Sequence, residues 1–139
     1  MTGRSFLDTN VVVYAFDDDA PLKKHKALRI LEEARASTHV LSPQVLQEFF
    51  NAVTRKLARP VRAEDAESAV HLLAKLTIVP ADRDLVISAI RTHRHHQLSL
   101  WDALIVQAAI VGGCDRLLTE DMQDGRRLGN LVIENPFRP

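Results

Sequence analysis

Four acids carry the chemistry that this 139-residue sequence could perform: Asp8, Glu48, Asp102 and Asp121. Asp8 stands in FLDTN, between the apolar pair Phe6-Leu7 and the run Val11–Val13. A carboxylate between two apolar runs is costly unless something holds it. Asp121 closes the stretch LLTED, just beyond the apolar pair Leu117-Leu118. Each acid also has a plain explanation. Asp8 is a favoured helix N-cap. Asp102, three residues after Ser99, fits the acid of a capping box. Glu48 fits a solvated helix face, and Asp121 a loop. Together these explanations lose ground. Four carboxylates brought to one place raise one another's pKa and titrate as a coupled set. A divalent cation removes that conflict, and an oxygen-only ligand set suits Mg²⁺ or Mn²⁺. Mg²⁺ keeps several waters, so some of the four act through water. No Cys/His spacing supports zinc.

For the four to meet, the chain must bring four distant segments to one edge. Short β-like runs alternate with longer helical ones. Ser5–Asp8, His39–Leu41, Thr77–Val79 and Arg116–Thr119 read as strands, with Leu131–Glu134 as a fifth at a sheet edge. Helices are predicted over residues 10–16, 22–35, from Ser42-Pro43 to about Leu57, and over 64–76. Two more run from a cap at Asp82 to about His96 and from a cap at Ser99 through Val111. Gly112-Gly113 ends the last. In the helix after Pro43, Leu46, Phe49, Phe50, Val53 and Leu57 form the predicted core-facing stripe, with Glu48 roughly 160° from its centre. Such alternation implies an α/β domain with a parallel sheet of four to five strands between helical layers. Ligands in such sheets gather beyond the carboxyl ends of the strands. Asp8 and Asp121 fall there, and Glu48 and Asp102 lie near the starts of helices that follow a connection.

Composition supports one domain over residues 1–139: 46% hydrophobic and 26% charged residues allow both a core and a charged surface. The longest apolar run falls short of the ~20 residues of a membrane span. The N-terminus does not read as a signal peptide. Cys114 is the only cysteine, which excludes an internal disulfide and makes a reducing cytoplasm the expected compartment. Eighteen basic and eighteen acidic residues balance, so any grip on nucleic acid must be local.

Other features are weaker. His93-Arg94-His95-His96 falls at a predicted helix C-terminus, where cations suit the dipole. Lys23, Lys24, Lys26 and Arg29 read as a solvated face or an RNA guide. Arg126 and Arg127 follow the last acid and are the better phosphate candidates. Trp101 is expected to pack rather than to stack on a base. Asp17–Asp19 read as a solvated loop.

The four segments carry a family pattern. FLDTNVVVYAF resembles the opening of PIN-domain proteins, LSPQVLQEFFNAVTRK their second segment, LSLWDALIVQAA the third and LLTEDMQDG the fourth. The nearest group by resemblance is the VapC-like ribonuclease toxins of toxin–antitoxin pairs. The resemblance implies a three-layer α/β/α domain and Mg²⁺- or Mn²⁺-dependent cleavage of RNA to 3′-hydroxyl and 5′-phosphate ends. It carries catalytic and metal-binding roles onto Asp8, Glu48, Asp102 and Asp121. Thr9 and Asn10 arrange the site, and the Thr119 hydroxyl supports the last acid. It implies an RNA substrate, a small cognate antitoxin and a homodimer, with no membrane. Glu120 and Asp124 are extra acids without an assigned role.

Two other classes remain open. An aspartyl-nucleophile phosphatase or phosphotransferase also places an acid after a strand, but wants a second Asp where this chain has Asn10. A non-catalytic metal-binding module would keep the acids as a structural cation site.

Overall fold

A computed structural model describes residues 3–139, so the first two residues of the predicted domain lie outside it. The elements in chain order are β1 (Ser5–Leu7), α1 (Thr9–Tyr14), α2 (Pro21–Glu33), β2 (His39–Leu41), α3 (Pro43–Arg55) and α4 (Ala63–Leu73). They continue as β3 (Thr77–Ile78), α5 (Arg83–His96), α6 (Leu100–Val111), β4 (Arg116–Leu118), β5 (Arg127–Leu128) and β6 (Leu131–Glu134). The sheet order is β3-β2-β1-β4-β6-β5, parallel except for the antiparallel β5–β6 pair. This is the α/β architecture expected, with helices on both faces.

The order explains where a site must fall. From β1 the chain steps outward to β2 and β3, then returns across to β4 on the other side of β1. Right-handed crossovers put α1 to α4 on one face and α5 with α6 on the other. The helices pack accordingly, α1 on α2 and α3, α3 on α4, and α5 on α6. The reversal lies between β1 and β4, and the crevice at such a switch point is where open α/β sheets bind ligands. Phe6, Leu7, Val40, Leu41, Leu117 and Ile133 are fully buried, which anchors the strands leading into that crevice.

Several expectations are corrected. Leu131–Glu134 is not the edge: it pairs with β4 on one side and β5 on the other. The edge strand is Arg127–Leu128, two residues long and too short to show a period. The buried face of α3 is Val45, Phe49 and Val53, while Phe50 is 37% exposed. Phe49 sits at the centre of that face, edge-on to Phe16 at 5.3 Å between ring centroids. Glu48 is therefore only about 100° from the buried centre, on the flank beside α1. Trp101 is 66% exposed instead of packed. Ser42 occupies the N-cap position of α3 without a side-chain capping bond, and Pro43 supplies the first helical residue.

At the far end of α6, Gly112 is needed for space. A Cβ there would stand 2.8 Å from Val40 Cγ1 and 3.1 Å from Val79 Cγ2. Gly113 follows with φ +72°, a left-handed residue that ends the helix and turns the chain into β4.

Candidate active site

The strand β1 ends at Leu7, and Asp8 is the next residue, 5% exposed. Its Oδ1 accepts from Thr9 N at 2.7 Å, so the carboxylate does cap α1. Its Oδ2 accepts from the Thr119 hydroxyl at 2.9 Å. The cap and the site are thus one arrangement.

Thr119 follows β4 and is fully buried. Its hydroxyl, besides donating to Asp8, accepts from Asp121 N and from Asn10 Nδ2, each at 3.1 Å. The expected support of the last acid is therefore made to its backbone, while the carboxylate that Thr119 serves is Asp8. Asn10 brackets the same loop. Its Nδ2 also donates to Asp121 Oδ2 at 3.0 Å, and its Oδ1 accepts from Glu120 N at 3.3 Å. Thr9 Oγ1 donates to Glu48 Oε1 at 3.4 Å, which ties the exposed acid of α3 to the start of α1. At the head of α6, Ser99 Oγ accepts from Asp102 N at 3.0 Å. Among the described residues the carboxylate of Asp102 makes no return bond to Ser99 N, so the capping box is half-formed.

The four acids are electrostatic neighbours. Burial pushes the Asp8 carboxyl up to about 6, and the charges of Asp121 and Glu48 add to this; the Thr9 and Thr119 hydrogen bonds pull the other way. Burial also raises the Asp102 pKa, with Asp121 contributing and the Ser99 bond opposing. Asp8, Glu48, Asp102 and Asp121 are therefore linked as a set through Asp8 and Asp121. Among the described residues, no three Asp, Glu, His or Cys side chains are close enough to hold one ion directly. The donor set nevertheless fits Mg²⁺ or Mn²⁺: it is all oxygen, its charges repel, and these ions accept water between carboxylate and metal.

Of the remaining candidates, Arg126 is half-buried and donates to the His96 carbonyl at 2.8 Å, at the end of α5. Arg127 is not brought to the acids. It lines a cavity of about 580 Å³ with Asp115, Gly129 and Asn130, beside the amino ends of β4 and β6. The two extra acids acquire roles. Asp124 accepts from Asn135 N at 2.7 Å and pairs with Arg138 at 2.9 Å. Glu120 pairs with Lys23 at 2.8 Å and accepts from the Tyr14 hydroxyl. Tyr14 was not foreseen, although it lies four residues after Asn10 on the same face of α1.

With this geometry in view, the PIN domain family model matches residues 5–126. The chain belongs to the PIN domain family. No curated protein is detectably similar. Among solved structures, this PIN domain resembles VapC20 of Mycobacterium tuberculosis, a sarcin–ricin-loop-cleaving toxin, at 21% identity and TM-score 0.66 over 81% of this chain and 86% of that one. It resembles a toxin–antitoxin complex from Klebsiella pneumoniae at 17% identity and TM-score 0.68, covering 95% and 97%. VapBC2 from Rickettsia felis, bound to a promoter DNA fragment, is similar at 21% identity and TM-score 0.63, covering 94% and 97%. At these identities the likeness is one of fold.

Proposed function

We propose that this PIN domain is a divalent-metal-dependent endoribonuclease, the toxin of a VapBC-type toxin–antitoxin pair. The observation that carries the reading is the buried carboxylate of Asp8, set at the switch point of the sheet with Asp121 and Glu48 as charged neighbours. The family match and the toxin–antitoxin relatives in fold support it.

Asp8, Glu48, Asp102 and Asp121 would hold the cation, some through water, as oxygen ligands do for Mg²⁺ or Mn²⁺. When bound, such an ion lowers the pKa of water and polarises a phosphate oxygen, which is the chemistry needed to hydrolyse an RNA phosphodiester. The rest is positioning by the protein. Thr119 orients Asp8 by donating to Oδ2. Asn10 orients Asp121 by donating to its Oδ2. Thr9 draws Glu48 toward the cluster. Without a cation the same four acids would repel a phosphate, so metal and substrate are coupled.

Further parts of the reading are an RNA substrate, a small cognate antitoxin, a homodimer and a cytoplasmic site of action. No helix among the described residues is long and apolar enough to cross a membrane. Cleavage of structured RNA should require Mg²⁺ or Mn²⁺, stop with EDTA and be lost in Asp8→Asn. Undiminished cleavage in EDTA or in that variant would overturn the reading.

A further inference from the structure

Glu120 lies between two residues of the acid site, Thr119 and Asp121, yet its side chain is turned elsewhere. Lys23 Nζ donates to Glu120 Oε2 at 2.8 Å and to the Tyr14 hydroxyl at 3.2 Å, and the Tyr14 hydroxyl donates to Glu120 Oε1. Tyr14 belongs to α1 and Lys23 to α2, so one carboxylate joins two helices to the loop after β4. The C-terminal segment closes this triad. The Phe137 ring is buried edge-on to Tyr14, 5.0 Å between centroids, and lies 5.9 Å from Lys23 Nζ. Lys26 Nζ donates to the Phe137 carbonyl at 3.4 Å. Asp124 fastens the same segment through Asn135 N and Arg138. Phe137 lies beyond residues 5–126, the span matched by the family model.

We propose that Tyr14, Lys23 and Phe137 are positioning residues. They clamp Glu120, and through it hold Thr119 and Asp121 on either side in the arrangement that receives a divalent cation. The charge logic agrees. Left free, Glu120 would be a fifth acid beside a set whose carboxylates already repel one another. Pairing with Lys23 and bonding to Tyr14 keep it out of the ligand set. A metal site is only as good as the shell that orients its ligands, and losing such a partner typically weakens metal binding. This inference rests on the metal-site reading above.

The test is a Mn²⁺ titration of the full chain, followed by electron paramagnetic resonance, with amide hydrogen exchange of the metal-free protein alongside. Lys23 is nearly half exposed, so Lys23→Met is expected to fold. It should weaken Mn²⁺ binding about three- to tenfold, below the 10–100-fold common for direct outer-shell partners, because it acts one residue further out. Lys23→Arg should restore binding to within about twofold, and adding Lys23→Met to Glu120→Ala should cost little more than Glu120→Ala alone. A merely structural role would lower the melting temperature and leave Mn²⁺ affinity in place. Unchanged or tighter Mn²⁺ binding in Lys23→Met overturns the clamp. If wild type binds no Mn²⁺, or Asp8→Asn binds as wild type does, the metal-site reading fails by itself. The clamp is then decided by exchange at the Glu120 and Asp121 amides, which should quicken in Lys23→Met; unaltered exchange overturns it.

Discussion

Thr119 gives its single hydroxyl proton to Asp8 Oδ2 at 2.9 Å, across 111 positions of sequence, and both residues are buried. A threonine hydroxyl has one donor and two acceptor lone pairs. Here all three are used, the lone pairs by Asp121 N and Asn10 Nδ2. Thr119→Val keeps the shape and removes all three bonds. It should destabilise the metal-free protein by about 1–3 kcal/mol, the usual penalty for buried groups left unpaired. Thr119→Ser should stay near wild type in both stability and RNA cleavage. Urea unfolding of the two variants, with cleavage assays alongside, checks this.

Asp8→Asn separates capping from catalysis. Asn caps helices about as well as Asp, and it removes a buried charge that Asp121 and Glu48 oppose. The variant should melt close to wild type without metal, since relief of that charge offsets the bond lost where an amide NH₂ replaces the oxygen that accepts from Thr119, while RNA cleavage falls by roughly a hundredfold or more, about 3 kcal/mol in the barrier. A large drop in melting temperature would instead mark Asp8 as chiefly structural.

The pH dependence follows from the same group. The Asp8 pKa rises from 3.8 to about 6 on folding, so between those values the native state binds the extra proton. The contribution of Asp8 to stability is therefore fully present below about 4 and is lost as pH rises to about 6. The exposed acids Asp18 and Asp124 act in the opposite sense, since Lys24 and Asn135 N hold their pKa values down. Comparing wild type with Asp8→Asn isolates the effect: the stability difference should move toward the variant as pH rises from 4 to 6. Cation binding requires the ionised form, so Mg²⁺ should raise the wild-type melting temperature more at pH 7.5 than at pH 5.

Gly112→Ala tests the packing beneath the site. The new Cβ would meet Val40 Cγ1 at 2.8 Å and Val79 Cγ2 at 3.1 Å. Val40 is fully buried in β2 and cannot turn aside freely. A loss of about 1–3 kcal/mol is expected in denaturant unfolding, in line with other overpacked cores.

Arg127→Ala should leave cleavage and Mg²⁺ dependence unaltered, because Arg127 faces the cavity with Asp115 and Asn130 instead of the acids. A drop in RNA affinity, read from the substrate concentration at half-maximal rate, would mean that the substrate wraps to that end of the sheet.

Three of the acids had a local signal in the sequence, a strand end for Asp8 and Asp121 and a capped helix for Asp102, whereas Glu48, inside α3, had no such signal and rested on the family resemblance. Their partners were not legible in this way. The family resemblance put the Thr119 hydroxyl in support of the last acid, whereas the sheet sets β4 beside β1 and so brings the hydroxyl to Asp8. The face of α3 was misjudged because Phe49 and Phe50 are both large and apolar; only packing against Phe16 decides that Phe49 goes in. Strand β5 escaped because two residues carry no period. The Lys23–Glu120 pair joins residues 97 positions apart, and local pattern carries no trace of it.

The bond between Asp8 and Thr119 also bears on synthesis. Asp8 is made before β4, Thr119 and Asp121, which come more than 100 positions later. A growing chain therefore carries its first acid long before the sheet can supply the hydroxyl, the amide bracket or the neighbouring carboxylates. The acid cluster needs both strands, and a chain halted between them leaves the ribosome without it.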